Sequence, residues 1–144
     1  MDASKIIGLA IMGGIATAFQ GHFMGIMEQR MGWKESVFIT YVSGGILIAL
    51  IMVLARGGNL GAWPKVPWYV FTAGILGLVI VGTIGYTVPR LGMAKAFTVM
   101  IAAQLIGAMV LDHFGLFGIT VRTLNMYRIT GLVTMIAGVW MILK

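Results

Sequence analysis

The sequence predicts an all-α integral membrane protein, a bundle of five transmembrane helices. Three observations lead there. Of its 144 residues, 60% are hydrophobic and 10% charged, and the mean hydropathy is +1.01. A water-soluble domain of this size needs more polar surface than that to cover its core. The apolar residues fall into five runs of about 20, the length that crosses a bilayer. Trp33, Trp63, Trp68, Tyr69, Tyr86 and Tyr127 gather near the ends of those runs, and Trp140 sits a turn inside the last one, as an interfacial aromatic belt requires.

The first helix is expected over about 5–27. Lys5 ahead of an apolar run and the small residues Ala16-Thr17-Ala18 fit a signal peptide, but the run continues past Ala18, so the helix is expected to be retained. The second is expected over about 36–55. "RGGNLGAWPKV" then interrupts as a loop, marked by its glycines and Pro64. The third spans about 67–87, with Pro67 at a favoured first-turn position. "VPRLG" is expected to break the chain at Pro89. The fourth spans about 93–113, and "GLFGITVRTLN" after it is too polar and glycine-rich to cross, so it is expected along the interface. The fifth spans about 127–144. The linkers are short, which predicts one five-helix domain over 1–144. The runs are too long and too evenly apolar for barrel strands, which alternate.

An odd number of spans puts the termini on opposite sides. On the N-terminal, or near, side fall Lys5, Arg56, Lys65, Arg122 and Arg128; on the far side fall Arg30, Lys34, Arg90, Lys95 and Lys144. Orientation follows an excess of Lys and Arg on the cytoplasmic side, and five against five offers almost none. Either a small bias at the margins of the count suffices, or copies insert both ways and pair as an antiparallel homodimer. Small residues give the helices contact faces: Ala10, Gly14, Ala18, Gly21 and Gly25 on the first, Ala103 and Gly107 on the fourth.

The net charge of +6 is spread thinly between apolar runs and gives no nucleic-acid footprint. The chain has no cysteine, so disulfides and thiolate metal sites are excluded. Two histidines and four acids are too scattered for a metal or catalytic cluster, and no nucleophile–base pair or cofactor motif appears. No metal, no cofactor and no enzyme activity are therefore expected.

Polar groups inside a membrane are expensive and ask for a reason. Gln20 and Gln104 can each donate and accept hydrogen bonds without carrying charge. They serve either as substrate contacts or as helix–helix ties. Thr17, Thr40, Tyr41, Ser43, Thr83, Thr98 and Thr134 can extend the same lining, although a lone hydroxyl more often bonds its own helix backbone. Gln20, Gln104, Tyr41, Thr17 and Ser43 are the candidate substrate-binding residues. Asp112, His22 and Glu28 are the coupling or gating candidates. Asp112 meets the unfavourable end of the helix dipole, so Arg122, Arg128 or His113 is expected to support it, and pinning the following loop is the simpler role. His22 is expected to be buried and neutral. Met24, Met27 and Met100 either fill gaps or line a substrate path. No carboxylate falls near mid-bilayer, which disfavours exchange of a permanent cation against protons and suits a neutral, zwitterionic or weakly anionic molecule.

"GGIATAFQGHFMG", "AGILGLVIVGTIGYTVPRLGMAKAFTVMIAAQL", "AAQLIGAMVLDHFGLFG" and "RITGLVTMIAGVWMI" together resemble the YdcZ-type family of short bacterial inner-membrane proteins, in the drug/metabolite transporter superfamily. The resemblance covers nearly the whole chain. It places the family's two glutamines on Gln20 and Gln104 and its acid on Asp112. Members often carry an Asn just after the first Gln, where this chain has Gly21 and His22. The resemblance implies a multi-pass protein of the bacterial inner membrane. It implies a five-helix unit that works in pairs, as half of a ten-helix inverted-repeat transporter, with an antiparallel homodimer or a paired homologous subunit as partner and a small-molecule substrate. Five spans suit this independently, since a second five-span copy is naturally inverted when the chain runs straight on into it, the inverted-repeat arrangement with a midplane site between the halves. A small dual-topology ion channel and a non-transporting assembly subunit are the alternatives.

Overall fold

A computed structural model describes residues 2–55, 57–118 and 120–144. The described residues are helical or irregular, and five helices are long and apolar enough to cross a membrane. They are α1 (Ala3–Met31), α2 (Trp33–Leu54), α3 (Ala73–Leu91), α4 (Met93–Phe114) and α5 (Met126–Leu143). A 3₁₀ turn at Trp68–Thr72 leads into α3 and brings that span to 24 residues. The loop between α2 and α3 holds a second 3₁₀ turn at Leu60–Lys65. Arg56, counted above as a near-side charge, lies outside the described residues. So does Ile119 of the loop after α4, which otherwise contains a short 3₁₀ turn at Leu116–Gly118.

Helix α1 is longer at both ends than its apolar run. Its 29 residues extend about 43 Å at 1.5 Å per residue, against a hydrocarbon core of about 30 Å. Hydropathy marks the part in oil, while the helix runs on through the polar Glu28-Gln29-Arg30. Pro89 does not break the chain. It lies inside α3, which continues to Leu91. The breaks fall instead at Gly32 (φ 107°) and Gly92 (φ 80°), backbone conformations that glycine adopts without strain. Each glycine separates consecutive spans by one residue.

The chain divides into two compact units, Met1–Arg90 with α1 to α3 and Leu91–Lys144 with α4 and α5. In the first unit the helices meet at the far end. Met24 on α1 is 1% exposed, and Val37 on α2 with Ile84 and Val88 on α3 are also buried. Small residues permit this approach. A Cβ on Gly25 would stand 3.6 Å from both Pro89 and Val88, and one on Gly85 would stand 3.1 Å from the Met24 methyl. Toward the near end nothing lies within 4 Å of a Cβ placed on Gly8, Gly13, Gly14, Gly44, Gly45 or Gly74. The small-residue face of α1 is thus used within the chain at Gly21 and Gly25, both buried, and left open at Gly14. Ser36, fully buried at the start of α2, donates its hydroxyl to the Met24 carbonyl oxygen at 3.0 Å.

In the second unit α4 and α5 pack together. Lys95 Nζ donates to the Leu143 carbonyl oxygen at 3.0 Å, satisfying one of the free carbonyls at the end of α5. Asn125 caps the start of α5 by accepting from the Arg128 backbone N–H at 2.9 Å.

Candidate functional site

Each substrate-site candidate lies close to the middle of its own helix. Thr17 is the central residue of α1, and Gln20 lies three residues beyond it. Tyr41 and Ser43 flank or touch the middle of α2, and Gln104 the middle of α4. At 1.5 Å per residue all five fall within about 5 Å of a helix midpoint.

Their surroundings differ. Thr17 and Gln20 are half-buried and share the α1 stripe that continues through Gly21, Met24, Gly25 and Glu28. Tyr41 reaches from α2 to α3, its hydroxyl 2.7 Å from where a Gly77 Cβ would stand. Gln104 is exposed. Neither Gln20 nor Gln104 has a side-chain hydrogen bond among the described residues. Several hydroxyls are already committed. Thr17 donates to the Gly13 carbonyl, Thr40 to Ser36, Ser43 to Thr40, Thr98 to Ala94 and Thr134 to Thr130. Each keeps its oxygen as an acceptor and spends its proton on its own helix. Of that polar set, Tyr41 and Thr83 keep a proton uncommitted among the described residues.

Met24 fills the far-end core of the first unit. His22 is exposed, contrary to the expectation of burial. Its helix turns Met24 and Gly25 inward and leaves His22 on another face, with its ring 6.1 Å from that of Phe23. Glu28 lies three residues before the end of α1 with a side chain 12% exposed, and its Oε1 accepts from Arg90 Nη1 at 3.0 Å. That guanidinium also donates to the Tyr86 carbonyl at 2.6 Å and stacks over the Tyr86 ring, 3.7 Å from its centroid. Glu28, Arg90 and Tyr86 thereby tie α1 to α3. Hydropathy does not single out Arg90 or Ser36, because each gains its role from a partner on another helix.

Asp112 sits in a polar clasp at the C-terminal end of α4. Its carboxylate is 3.7 Å from Arg128, both side chains about one-third exposed. Its carbonyl accepts from the Arg122 backbone N–H at 2.9 Å. Arg128 Nη1 donates to the Arg122 carbonyl at 3.2 Å, and His113 Nδ1 accepts from the Leu124 N–H at 3.4 Å. That last bond leaves a neutral His113 its proton on Nε2. Arg128 is the residue that supports Asp112.

Residues 6–141 match the family described as "Putative inner membrane exporter, YdcZ". The chain belongs to the YdcZ family. A curated relative, "Inner membrane protein YdcZ" of Escherichia coli (strain K12), is 26% identical over 149 aligned positions, which cover 100% of this chain and 98% of that protein. No solved structure matches the chain. Family membership and five bilayer-length helices make it a multi-pass inner-membrane protein with a transporter-type family assignment. In this YdcZ-family chain, the mid-helix glutamines and the charged ties Glu28–Arg90 and Asp112–Arg128 are two separate sets of residues.

Proposed function

We propose that the protein is a subunit of a small-molecule transporter of the drug/metabolite superfamily. Two oppositely oriented five-helix halves would enclose the substrate near the bilayer midplane and expose it alternately to each side. The observation that carries this reading is the state of Gln20 and Gln104. Both lie near mid-helix and neither is hydrogen-bonded among the described residues. An amide left unpaired in hydrocarbon costs several kcal/mol, so it demands a partner from outside its own chain. A substrate at the midplane, reached between inverted halves, meets that demand.

Family membership supports transport, and the odd span count with evenly divided charges supports an inverted mate. Tyr41, Thr17 and Ser43 would complete the substrate lining, Tyr41 as donor and the other two as acceptors. Glu28 and His22 would serve gating or coupling, and Asp112 would first hold the α4–α5 connection. With no carboxylate at mid-helix, the favoured cargo is neutral, zwitterionic or weakly anionic.

Thermal stabilisation of the purified protein across a metabolite panel finds the ligand, since a true one raises apparent stability by mass action. Uptake of that ligand into proteoliposomes is then measured for the parent and for Gln104→Ala. The variant should insert and dimerise but lose transport. Undiminished transport would make Gln104 a helix–helix tie.

A further inference from the structure

Between α2 and α3 runs a groove of about 680 Å³, walled by Phe38, Leu78, Gly82 and Tyr86, with Lys34 at its rim. Nothing lies within 4 Å of a Cβ placed on Gly82, so the floor is open there. The polar atoms in the wall are few: the Thr87 hydroxyl is spent on the Thr83 carbonyl, while the Thr83 hydroxyl stays uncommitted among the described residues. From Leu78 to Thr87 the groove follows ten residues of helix, a rise of about 14 Å at 1.5 Å per residue. Half of a bilayer's hydrocarbon is about 15 Å deep. The slot therefore matches the acyl chain of one leaflet.

The rim supplies a charge. Lys34 is exposed and forms no ion pair among the described residues. The next residue, Glu35, forms no ion pair with Lys34 among the described residues and holds its Oε2 2.6 Å from where a Gly32 Cβ would stand. The other far-end cation of this unit near the groove, Arg90, is already paired with Glu28. Lys34 is the second residue of α2, while Glu35 in the same turn sits over the Gly32 cap and meets the positive end of the helix dipole. Trp33 beside it is 45% exposed, at the level where indole rings meet lipid headgroups.

An apolar slot one leaflet deep, with an uncompensated cation at its mouth, is complementary to an anionic amphiphile. We propose that this groove is a binding site for an anionic phospholipid, one acyl chain between α2 and α3 and the phosphate on Lys34. A zwitterionic lipid brings its own ammonium to the same place and forfeits most of the attraction. The proposal holds whether or not the protein transports.

Native mass spectrometry of the full chain in a neutral detergent tests it, with phosphatidylglycerol and phosphatidylcholine of identical acyl chains as probes. Phosphatidylglycerol should be retained about fivefold better, the worth of one lysine beside an anionic headgroup. Lys34→Gln should abolish the preference and Lys34→Arg should keep it. Gly82→Leu, which fills the slot without touching the charge, should reduce retention of both lipids. Equal retention by the parent, or a preference that survives Lys34→Gln, overturns the proposal. So does a Gly82→Leu variant that separates a dimer while lipid retention stays the same, since the groove would then hold a second copy.

Discussion

Removing Arg90 should destabilise the protein more than removing Glu28, although the two form one ion pair. The Glu28 side chain is 12% exposed and that of Arg90 46%. Exposed pairs contribute about 0.2–1 kcal/mol, whereas breaking a buried pair costs about 3–5 kcal/mol because the surviving charge is stranded. Arg90→Met strands a carboxylate that is largely out of water, and it also removes the guanidinium stacked on Tyr86, worth about 0.5–1 kcal/mol. We expect a loss of about 2 kcal/mol, between the two limits. Glu28→Gln leaves an amide oxygen that still accepts from Arg90, and a guanidinium with access to water and to the Tyr86 carbonyl; about 0.5 kcal/mol is expected. The double variant should cost less than the sum, since no charge is then stranded. Reversible denaturant unfolding in bicelles measures all three, and Tyr86→Leu reports the stacking term separately. Equal losses for the two single variants, or losses that simply add, would refute this account.

Ser36→Ala removes the buried bond to the Met24 carbonyl and should cost about 1 kcal/mol in the same assay. Gly25→Ala should be tolerated, because its Cβ would meet Pro89 and Val88 at an ordinary 3.6 Å; Gly25→Leu overfills the same contact and should lose about 1–3 kcal/mol. Asp112→Asn breaks a 3.7 Å pair between half-buried groups and should cost under about 1 kcal/mol, with the Arg122 backbone bond intact. If proteoliposome transport fails while that stability is kept, Asp112 acts in coupling and not in the clasp.

The spans were legible in the sequence because hydrocarbon length and hydropathy report one quantity, the residues that must sit in oil. Where the helix outruns the oil, that signal ends early, as at Glu28-Gln29-Arg30 of α1. Pro89 misleads for a related reason. A proline ends a helix in water, but in a membrane neighbouring helices tolerate the lost bond, and Pro89 lies against Gly25. The ties between helices were not legible. Glu28 and Arg90 are both visible as far-side charges, yet a pairing across 62 positions has no period to detect. Ser36 is equally silent, an unremarkable polar residue near a helix start until its hydroxyl meets α1. His22 was misplaced because composition cannot say which face of a mostly apolar helix turns inward.

The polar side chains divide by depth, and the division bears on function. At the helix ends they are bonded across helices: Ser36 to Met24, Arg90 to Glu28, Lys95 to Leu143, Arg128 to Asp112. Near the helix centres, Gln20 and Gln104 have no bond among the described residues, and Thr17 and Ser43 bond their own backbone. If the glutamines served as ties within the chain, they would be the most effective ones available, since a bond at mid-depth has no water to compete with it. Yet the ties across helices lie outside the helix centres, and the central glutamines stay unbonded among the described residues. On the function proposed above, an inverted mate or a substrate held against it would satisfy those amides. A double-mutant cycle separates the two. Coupling of Gln104 to a residue of the second copy in ligand-free protein points to the mate, and coupling that appears only on adding ligand points to the substrate.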